Sequence, residues 1–365
     1  MLNFRFAVIS DPHVAIPQTI WTHPNRFHMV EVSIPALEVV FNHLKQLNLD
    51  FLLLPGDLTQ DGEPENHQWL GQQLSTLPIP AYVIPGNHDV PSFAATERAI
   101  AFDEFPYFYQ KQGYTNPKQI YYTCEVFPGV QLISLNSNQF NSEGKQIGKL
   151  DEKQLIWLEN LLPQVQDKLI LVMIHHNVIE HLPGQTTHEL GRRYMLENAS
   201  SLLDLLNKYG VHLIFTGHLH IQDIALYKGI YEITTGSLVS YPHPYRIIDV
   251  SQDSQGKQTI NITSHWINHL PEWENLPEIS RNWLGDRSYH FMMRLLTTSP
   301  LNLSVTEAEI LAPKLRNFWA DIAAGDNLFD FPDFPPLVRE YFKKFGAVNK
   351  DGIPEFIDNQ AILSI

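Results

Sequence analysis

The sequence predicts an α/β fold, and three observations support this prediction. Short apolar runs such as Phe6-Ala7-Val8-Ile9 alternate with longer segments whose apolar residues recur at helical spacing. Several runs stop at a glycine or a polar residue, as strands do at the edge of an α/β sheet. After Gly217 the helical pattern gives way to short strand-like segments. These features predict βαβ units around a largely parallel sheet, with a second sheet completed by the later strands.

The elements follow in order along the chain. Buried strands are predicted at residues 6–10, 169–174 and 211–215, and in the apolar runs that end at Leu54 and Ile84. Apolar stripes predict helices at residues 33–47, 66–77, 151–162 and 196–209. Short strands are predicted at residues 221–227, 230–234, 245–250 and 258–266. We expect these short strands to form one meander that completes the second sheet.

Polar side chains with metal-ligand chemistry follow five of the apolar runs. They are Asp11 and His13; Asp57; Asn87, His88 and Asp89; His175 and His176; and His218 and His220. Each fragment alone is a weak signal, because a histidine at a strand end is often a structural residue. Five fragments in order would bring their side chains to one edge of a sheet. Carboxylates, an amide and imidazoles suit two divalent ions in a hydrolase, and a single cysteine, Cys124, excludes a Cys-rich zinc site.

A resemblance to a known family rests on blocks that occur in order and without substitution: Asp11-x-His13, Gly56-Asp57, Gly86-Asn87-His88-Asp89, His175 and Gly217-His218-x-His220. The sequence resembles the calcineurin-like metallophosphoesterases over residues 4–265. Within that family it is most similar to the class III cyclic-nucleotide phosphodiesterase branch. The resemblance implies a four-layer α/β/β/α sandwich, in which two stacked mixed sheets are flanked by helices.

The same resemblance implies roles for these residues. The first metal ion would be held by Asp11, His13 and His220. The second would be held by Asn87, His175 and His218, and Asp57 would bridge the two. A hydroxide shared by ions such as Mn, Fe or Zn would attack phosphorus in line. His88 would donate a proton to the leaving oxygen, and Asp89 would orient the His88 imidazole.

Two positions refine the resemblance. Purple acid phosphatases, which are relatives of this family, place a tyrosine ligand three residues after the bridging aspartate, where this chain has Gln60. A tyrosinate-bound ferric site is therefore disfavoured. His176 directly follows a predicted ligand, so on a strand its side chain would point to the opposite face. A packed histidine and a substrate contact both stay open for His176.

Two long loops leave from the predicted ligands and are expected to overhang the site. Residues 14–32 carry His23, Arg26 and His28, and residues 179–197 carry His181, His188, Arg192 and Arg193. Long loops beside a site commonly determine specificity. His28 is therefore a candidate substrate contact, and the Arg192 and Arg193 guanidinium groups are candidates to bind a phosphate or ribose group. The alternative is that this arginine pair is simply solvated.

By composition the chain divides into a catalytic domain, residues 1–269, and a C-terminal extension, residues 270–365. The extension is rich in aromatic residues and proline, unlike a disordered tail. Ser304 and Glu307 predict a capping box that opens a helix, which Pro313 should kink or restart. We expect the helical extension to pack on or cap the catalytic domain, with a homodimer surface as the alternative.

Charge and composition narrow the partners and the location. The chain has 40 Asp and Glu against 25 Lys and Arg, a formal charge of −15, which argues against broad binding to nucleic acid or to an anionic membrane. The first strand begins too early to leave room for a signal peptide, and no apolar stretch approaches the ~20 residues of a membrane span. A single cysteine fits a chain that does not depend on disulfides. We therefore expect a cytoplasmic protein.

Together these observations predict a dinuclear metal-dependent phosphodiesterase that acts on a small phosphoester, with a 3′,5′-cyclic nucleotide as the first candidate. A phosphomonoesterase or a phospholipid-headgroup (glycerophosphodiester) diesterase of the same fold stays open. A non-catalytic metal-binding scaffold is the alternative of another class, and the complete set of ligands with His88 disfavours it. A nuclease would be expected to carry a basic groove, which the composition does not indicate.

Overall fold

The structure is a computed structural model that describes residues 2–22, 26–349 and 351–365. In these ranges the strands are β1 (Asn3–Val8), β2 (Phe51–Leu54), β3 (Ala81–Val83), β4 (Tyr122–Phe127), β5 (Val130–Ser134), β6 (Asn138–Phe140), β7 (Gln146–Gly148), β8 (Leu169–Met173), β9 (Leu213–Thr216), β10 (Asp223–Tyr227), β11 (Ile230–Thr234), β12 (Pro244–Gln252), β13 (Gln258–Trp266) and β14 (Gln360–Ser364). The helices are α1 (Ser33–Leu44), α2 (Pro64–Leu74), α3 (Phe105–Phe108), α4 (Glu152–Val165), α5 (Glu189–Arg192), α6 (Ala199–Lys208), α7 (Leu276–Thr297), α8 (Val305–Leu311), α9 (Phe318–Ala324) and α10 (Pro336–Lys343). Short 3₁₀ helices lie at Val30–Val32, Phe102–Glu104 and Ala312–Leu315. None of the helices in the described ranges has the length and apolar character needed to cross a membrane.

Two mixed sheets form the centre of the fold. The first has the strand order β14-β13-β12-β1-β2-β3, and the second has the order β10-β11-β9-β8-β5-β4. β1, β2 and β3 run parallel in the first sheet, as do β5, β8, β9 and β11 in the second, whereas the other neighbours are antiparallel. Strands β2 and β8 are apolar and buried at every residue, because both faces of a parallel strand are covered.

Alternate residues of β8 show how the layers stack. Leu171 and Met173 pack in the core shared by the two sheets, whereas Ile170 and Val172 pack with residues of α4 and α6 on the other face. Apolar residues of α1 and α2 pack in the core of the first sheet. The predicted four-layer sandwich of two mixed sheets with flanking helices is confirmed.

The short strands after Gly217 do not form one meander, so this part of the prediction is wrong. β10 and β11 form an edge of the second sheet, while β12 and β13 pair in the first sheet. The chain crosses between the sheets along residues 235–243, where Ser237 bridges to Ser10 beyond the end of β1. Alternating apolar residues indicate a strand with one buried face, but they do not indicate which sheet the strand joins.

The C-terminal extension contributes four helices and one strand in the described residues. Helices α7 to α10 enclose an apolar core of their own, which also takes in Leu219 and Ile221 from the preceding part of the chain. The capping box of Ser304 and Glu307 opens α8, and a 3₁₀ helix follows at Pro313, as the sequence predicted. Strand β14 was not predicted. It pairs antiparallel with β13, so the end of the extension joins the first sheet.

Candidate metal centre

The seven predicted ligands come together at one end of the two sheets. Asp11 and His13 follow β1, Asp57 follows β2, Asn87 follows β3, His175 follows β8, and His218 and His220 follow β9. The carboxyl ends of parallel strands meet at one edge, and these loops therefore share one crevice. We refer to these seven residues as the donor set.

Backbone strain marks the donor set. Five of its members have a positive φ: 49° at Asp11, 39° at His13, 49° at Asp57, 67° at His218 and 60° at His220. Such a conformation costs on the order of 1–3 kcal/mol per residue and persists only where the surrounding structure fixes it. Because strained residues of this kind cluster at active sites and ligand clamps, the backbone itself points to a functional site.

Two glycines allow the loops to approach one another. A Cβ atom at Gly86 would lie 2.1 Å from Oδ1 of Asp57, and a Cβ atom at Gly217 would lie 2.3 Å from Oδ2 of Asp11. Neither position has room for a side chain. The glycines in the sequence blocks are therefore required because the carboxylates press against the backbone there.

The first group of donors surrounds His13. Nε2 of His13 lies 3.3 Å from Nε2 of His220 and 3.8 Å from Oδ2 of Asp57. Nε2 of His220 lies 3.2 Å from Oδ1 of Asp11. Each of these four side chains places one ligand atom within 4.8 Å of the others, a spacing that fits ligands around one metal ion.

The second group of donors surrounds His175. Nε2 of His175 lies 3.4 Å from Oδ2 of Asp57 and 3.3 Å from Oδ1 of Asn87. Nδ1 of His175 donates to the carbonyl oxygen of Pro55 at 2.8 Å, which leaves the lone pair of a neutral ring on Nε2. His218 completes the group. In the described part of the chain, Asp57 is the carboxylate that both groups share.

The chemistry of the donor set fits two metal ions. Carboxylate oxygens and imidazole nitrogens converge at 3.2 to 3.8 Å in both groups. Bringing such acceptors together in a buried crevice is costly unless a cation compensates them. Oxygen and imidazole ligands suit ions such as Mn, Fe or Zn.

The histidines at the centre of the two donor groups, His13 and His175, differ in pKa. Burial lowers the pKa of His13 well below its usual 6.5, and His28 and His88 act in the same direction. Burial also acts to lower the pKa of His175, but the charge and hydrogen bond of Asp57, together with Asp11 and the Pro55 carbonyl, outweigh burial and raise that pKa to about 9. His13 is therefore neutral at pH 7, whereas His175 must release a proton before it can bind a metal.

His88 stands beside the donor set and belongs to neither group. Its backbone N–H donates to Oδ1 of Asp57 at 2.8 Å, and its ring meets the His13 ring edge-on with 4.7 Å between centroids. Nδ1 donates to the carbonyl oxygen of Gln60 at 2.8 Å, which leaves Nε2 for other chemistry. Burial acts to lower the pKa of His88, but Asp57 and Asp61 raise it above its usual value. The raised pKa favours the protonated ring that a general acid requires.

The prediction that Asp89 orients the His88 imidazole is wrong. The Asp89 carboxylate accepts hydrogen bonds from the backbone N–H groups of Leu58, Thr59 and Gly86 at 3.0, 2.9 and 2.8 Å, and from the Thr59 hydroxyl at 3.0 Å. These bonds tie the loop after β2 to the loop after β3. Burial raises the pKa of Asp89 to about 7, and the backbone hydrogen bonds act in the opposite direction. Adjacency in sequence suggested a contact that the two side chains do not make.

Two further histidines lie close to the donor set. The His28 ring stacks on the His13 ring with 4.1 Å between centroids, and one of its nitrogens lies within ligand distance of His13 and His220. Nδ1 of His176 lies 2.8 Å from Oγ of Ser137, and the His176 side chain is buried while still lining the cavity at the site. Both positions allow contact with a bound substrate.

Arg192 and Arg193 are exposed and line the same cavity. The Arg193 guanidinium lies over the Tyr194 ring, 4.6 Å from its centroid, so the adjacent aromatic ring helps to position it. The loop of residues 179–197 therefore reaches the site as expected, whereas binding of substrate by the two arginines stays a prediction. His23, which was expected in the other loop, lies outside the described residues.

Sequence reasoning missed residues that support or surround the site. The Ser10 hydroxyl donates to the Asp11 carboxylate, and the Ser237 hydroxyl donates to the Asp11 backbone oxygen at 2.8 Å. The position of Ser10 directly before a ligand was the available signal. Side chains of the C-terminal extension also line the cavity, namely Ser288, Phe291 and Trp319. No local pattern in the sequence indicates that placement.

A family model for calcineurin-like phosphoesterases matches residues 4–222. The chain belongs to the calcineurin-like phosphoesterase family. It is therefore a metal-dependent phosphoester hydrolase, and its clustered Asp and His residues fit the dinuclear metal centre that this family uses. The resemblance seen in the sequence is confirmed.

Relatives and a solved structure agree with this assignment. The chain is 29% identical over 232 residues to a protein of Arcobacter nitrofigilis named probable glycerophosphodiester phosphodiesterase GpdQ, across 62% of this chain and 76% of the relative. It is 29% identical over 186 residues to a probable cyclic nucleotide phosphodiesterase of Moraxella catarrhalis, across 50% of this chain and 62% of the relative. Its fold is similar to that of a dimetal phosphatase from Danio rerio, with a TM-score of 0.54 and 15% identity across 72% of this chain and 96% of that one.

Proposed function

We propose that this chain is a dinuclear phosphodiesterase, with 3′,5′-cyclic nucleotides as the first candidate substrates. The observation that carries the proposal is the position of Asp57, whose carboxylate lies within ligand distance of both donor groups. One ion would be held on each side of it. When bound, the two ions would supply Lewis acidity and a nucleophile drawn from water.

Each ion would have its own remaining ligands. Asp11, His13 and His220 would hold the first ion, and Asn87, His175 and His218 would hold the second. Contacts behind the ligands support this arrangement, because the Ser10 hydroxyl holds Asp11 and the Pro55 carbonyl fixes the tautomer of His175. Such outer contacts orient ligands and tune their affinity for metal.

His88 would serve as the general acid that protonates the leaving oxygen. Its Nδ1–H is held by the Gln60 carbonyl, so ring rotation is restricted and Nε2 is the nitrogen available to the substrate. Asp57 and Asp61 raise the pKa of His88 above its usual value, which favours the protonated ring that a general acid requires. Because His88 lies outside both donor groups, it can give up a proton without releasing a metal ion.

Substrate oxygens would be bound by side chains at the edge of the cavity. Arg192 and Arg193 would supply charged donors to phosphate or ribose oxygens. His28 and His176 would lie next to the first and second ions respectively, given their ring contacts with His13 and with His218 at 4.1 and 4.4 Å between centroids.

The diester preference is supported by the names of relatives, which include both cyclic nucleotide and glycerophosphodiester phosphodiesterases. Hydrolysis of glycerophosphodiesters is therefore the second candidate activity. The test is to strip the protein of metal, reload it with Mn, Fe, Zn, Co or Ni in turn, and assay phosphomonoesters, linear diesters and cyclic nucleotides.

We expect turnover of diesters to exceed turnover of monoesters, with two ions bound per chain. Faster hydrolysis of monoesters by the two-metal protein would instead support a phosphomonoesterase. Two bound ions with no hydrolysis of any phosphoester would support the scaffold alternative.

A further inference from the structure

The cavity at the donor set is much larger than a phosphoryl group requires. Its volume is about 770 Å³, within the range of about 300–1,000 Å³ that is typical of sites for small organic ligands. Metal ligands and His88 form one part of its surface, and the loops at residues 14–32 and 179–197 form others. Strand β7 (Gln146–Gly148) forms a further part, and Ser288, Phe291 and Trp319 form another, which we call the extension wall.

Several contacts fix the extension wall relative to the metal ligands. Leu219, which lies between the ligands His218 and His220, is buried in the core of the extension together with Met292 and Phe318. The neighbours of these core residues in sequence, Phe291 and Trp319, are thereby held at the cavity. The wall is therefore packed against the segment that carries two of the predicted ligands, His218 and His220.

The two loops at the cavity are also attached to α7 of the extension. Glu189 pairs with Arg294 at 2.7 Å, and Nε2 of His188 lies 3.2 Å from Oγ1 of Thr298. The Arg26 guanidinium lies over the Trp283 ring, 5.6 Å from its centroid. The extension thus contacts both loops as well as the segment that carries His218 and His220.

The extension wall presents aromatic surface to the cavity. Phe291 and Trp319 are half-buried, and their ring centroids lie 5.2 Å apart with the planes inclined by 58°. Neither side chain belongs to the donor set. An aromatic surface beside a phosphoester site suits stacking with a planar ring of the substrate, because stacking on aromatic side chains is available to every nucleobase.

The charged side chains that line the cavity favour a planar ring over an ammonium group as the occupant. Arg26 lines the cavity, is 7% exposed, and has no hydrogen-bond partner for Nε and Nη1 in the described residues, while its Nη2 pairs with Glu31. Arg192 and Arg193 add two further cations. Two glutamates line the cavity: Glu189 is paired with Arg294, whereas Glu197 is exposed and forms no salt bridge within the described residues. Three guanidinium groups line the cavity against this one unpaired glutamate, which disfavours a cationic headgroup and offers donors to polar oxygens or ring nitrogens.

We propose that the extension wall selects the alcohol portion of the diester, with Trp319 and Phe291 stacking on a planar aromatic group such as a nucleobase. The inference rests on the proposed phosphodiesterase function and concerns residues beyond the segment, residues 4–222, that the family model matches. In this arrangement the extension determines which alcohol portion is bound, and the donor set carries out the hydrolysis.

The test compares substrates that differ in their alcohol. Trp319→Ala, Trp319→Phe and Phe291→Leu would be assayed, with two metals bound, on a 3′,5′-cyclic nucleotide, on glycerophosphoglycerol and on glycerophosphocholine. Tyr289→Ala is the matched control, because Tyr289 lies on α7, is 39% exposed and does not line the cavity. Phe291→Leu removes the aromatic ring but keeps most of the apolar volume. It therefore tests the wall even if Trp319→Ala fails to fold.

We expect Trp319→Ala to raise KM for the cyclic nucleotide about 5- to 150-fold, the range typical of lost base stacking, with kcat unchanged. Trp319→Phe should retain most of the affinity, and Phe291→Leu should show a smaller loss of the same kind. Tyr289→Ala should behave as the unmodified chain. Equal losses on all three substrates, or the largest loss on glycerophosphocholine, would overturn the proposal.

A binding measurement separates this inference from the proposed function. Titration calorimetry of adenosine 5′-monophosphate and of glycerol 3-phosphate with the metal-loaded protein needs no turnover. Weaker binding of the nucleotide alone by Trp319→Ala supports the inference, even if no diester is hydrolysed and the proposed function fails. Unchanged or equally weakened binding of both compounds would overturn it.

Discussion

The donor set and the extension wall face one cavity, but different forces hold them in place. The donor set sits on strained backbone, and glycines at 86 and 217 leave no space for a side chain beside its carboxylates. The extension wall is held by apolar packing around Leu219 and Met292. Substitutions in the donor set should therefore abolish metal binding or catalysis. Substitutions in the wall should instead weaken substrate affinity by graded amounts.

The largest effect is expected when the wall is removed with the whole extension. A chain ending at residue 269 would expose Leu219 and Ile221 and would leave β13 without its partner β14. We expect no soluble protein, because apolar core and a sheet edge would both be uncovered. Deleting only residues 360–365 is the matched control and should leave soluble protein that binds metal. A soluble, fully active chain of residues 1–269 would show that the two regions are independent.

The next largest effect is expected at the shared carboxylate. Asp57→Ala should lose both ions, and activity should fall by more than the about 10- to 100-fold that loss of an outer-shell contact costs. Elemental analysis and activity would be measured on the same metal-loaded sample. Asp61→Ala is the control for metal content alone, since Asp61 lies 3.9 Å from Nδ1 of His88 and belongs to neither donor group. Retention of two ions by Asp57→Ala would contradict its bridging role.

Substitution of His88, which lies beside the donor set, should separate an effect on catalysis from an effect on metal binding. His88→Ala should reduce kcat on the order of 10² to 10⁴ for a poor alkoxide leaving group, and much less for nitrophenolate, with both ions retained. Asp89→Ala should behave differently, because it leaves the buried donors at Leu58, Thr59 and Gly86 unpaired. It should lower the melting temperature and affect both substrates alike. Equal losses of kcat on both substrates for His88→Ala would rule out the general acid.

The smallest effect, a gradual loss of bound metal, is expected when the pH is lowered. His175 has a pKa raised to about 9 by Asp57, so protons compete with the second ion throughout the range below pH 9. The pKa of His13 lies well below 6.5, so protons compete there only under more acid conditions. As pH falls from 8 to 6 in a metal buffer, the second ion should leave first. Loss of both ions together, measured by elemental analysis, would contradict this order.

The convergence of the donor set could be predicted from sequence, whereas the extension wall could not. Asp11, Asp57 and His175 each lie within three residues of the end of a strand, so position in the chain and position in the crevice coincide. The sheet that receives β12 depends on a crossing near Ser237, which leaves no periodic signal. Trp319 reaches the cavity through packing between segments far apart in sequence. Hydrogen bonds of Asp89 were missed for the same reason, because backbone donors have no sequence signature.

Anomalous scattering from crystals loaded with manganese tests most directly whether Asp57 is shared by two ions. The account predicts two peaks per chain on either side of the Asp57 carboxylate. One should lie among Asp11, His13 and His220, and the other among Asn87, His175 and His218. A single peak, or a second peak that Asp57 does not contact, would contradict the account.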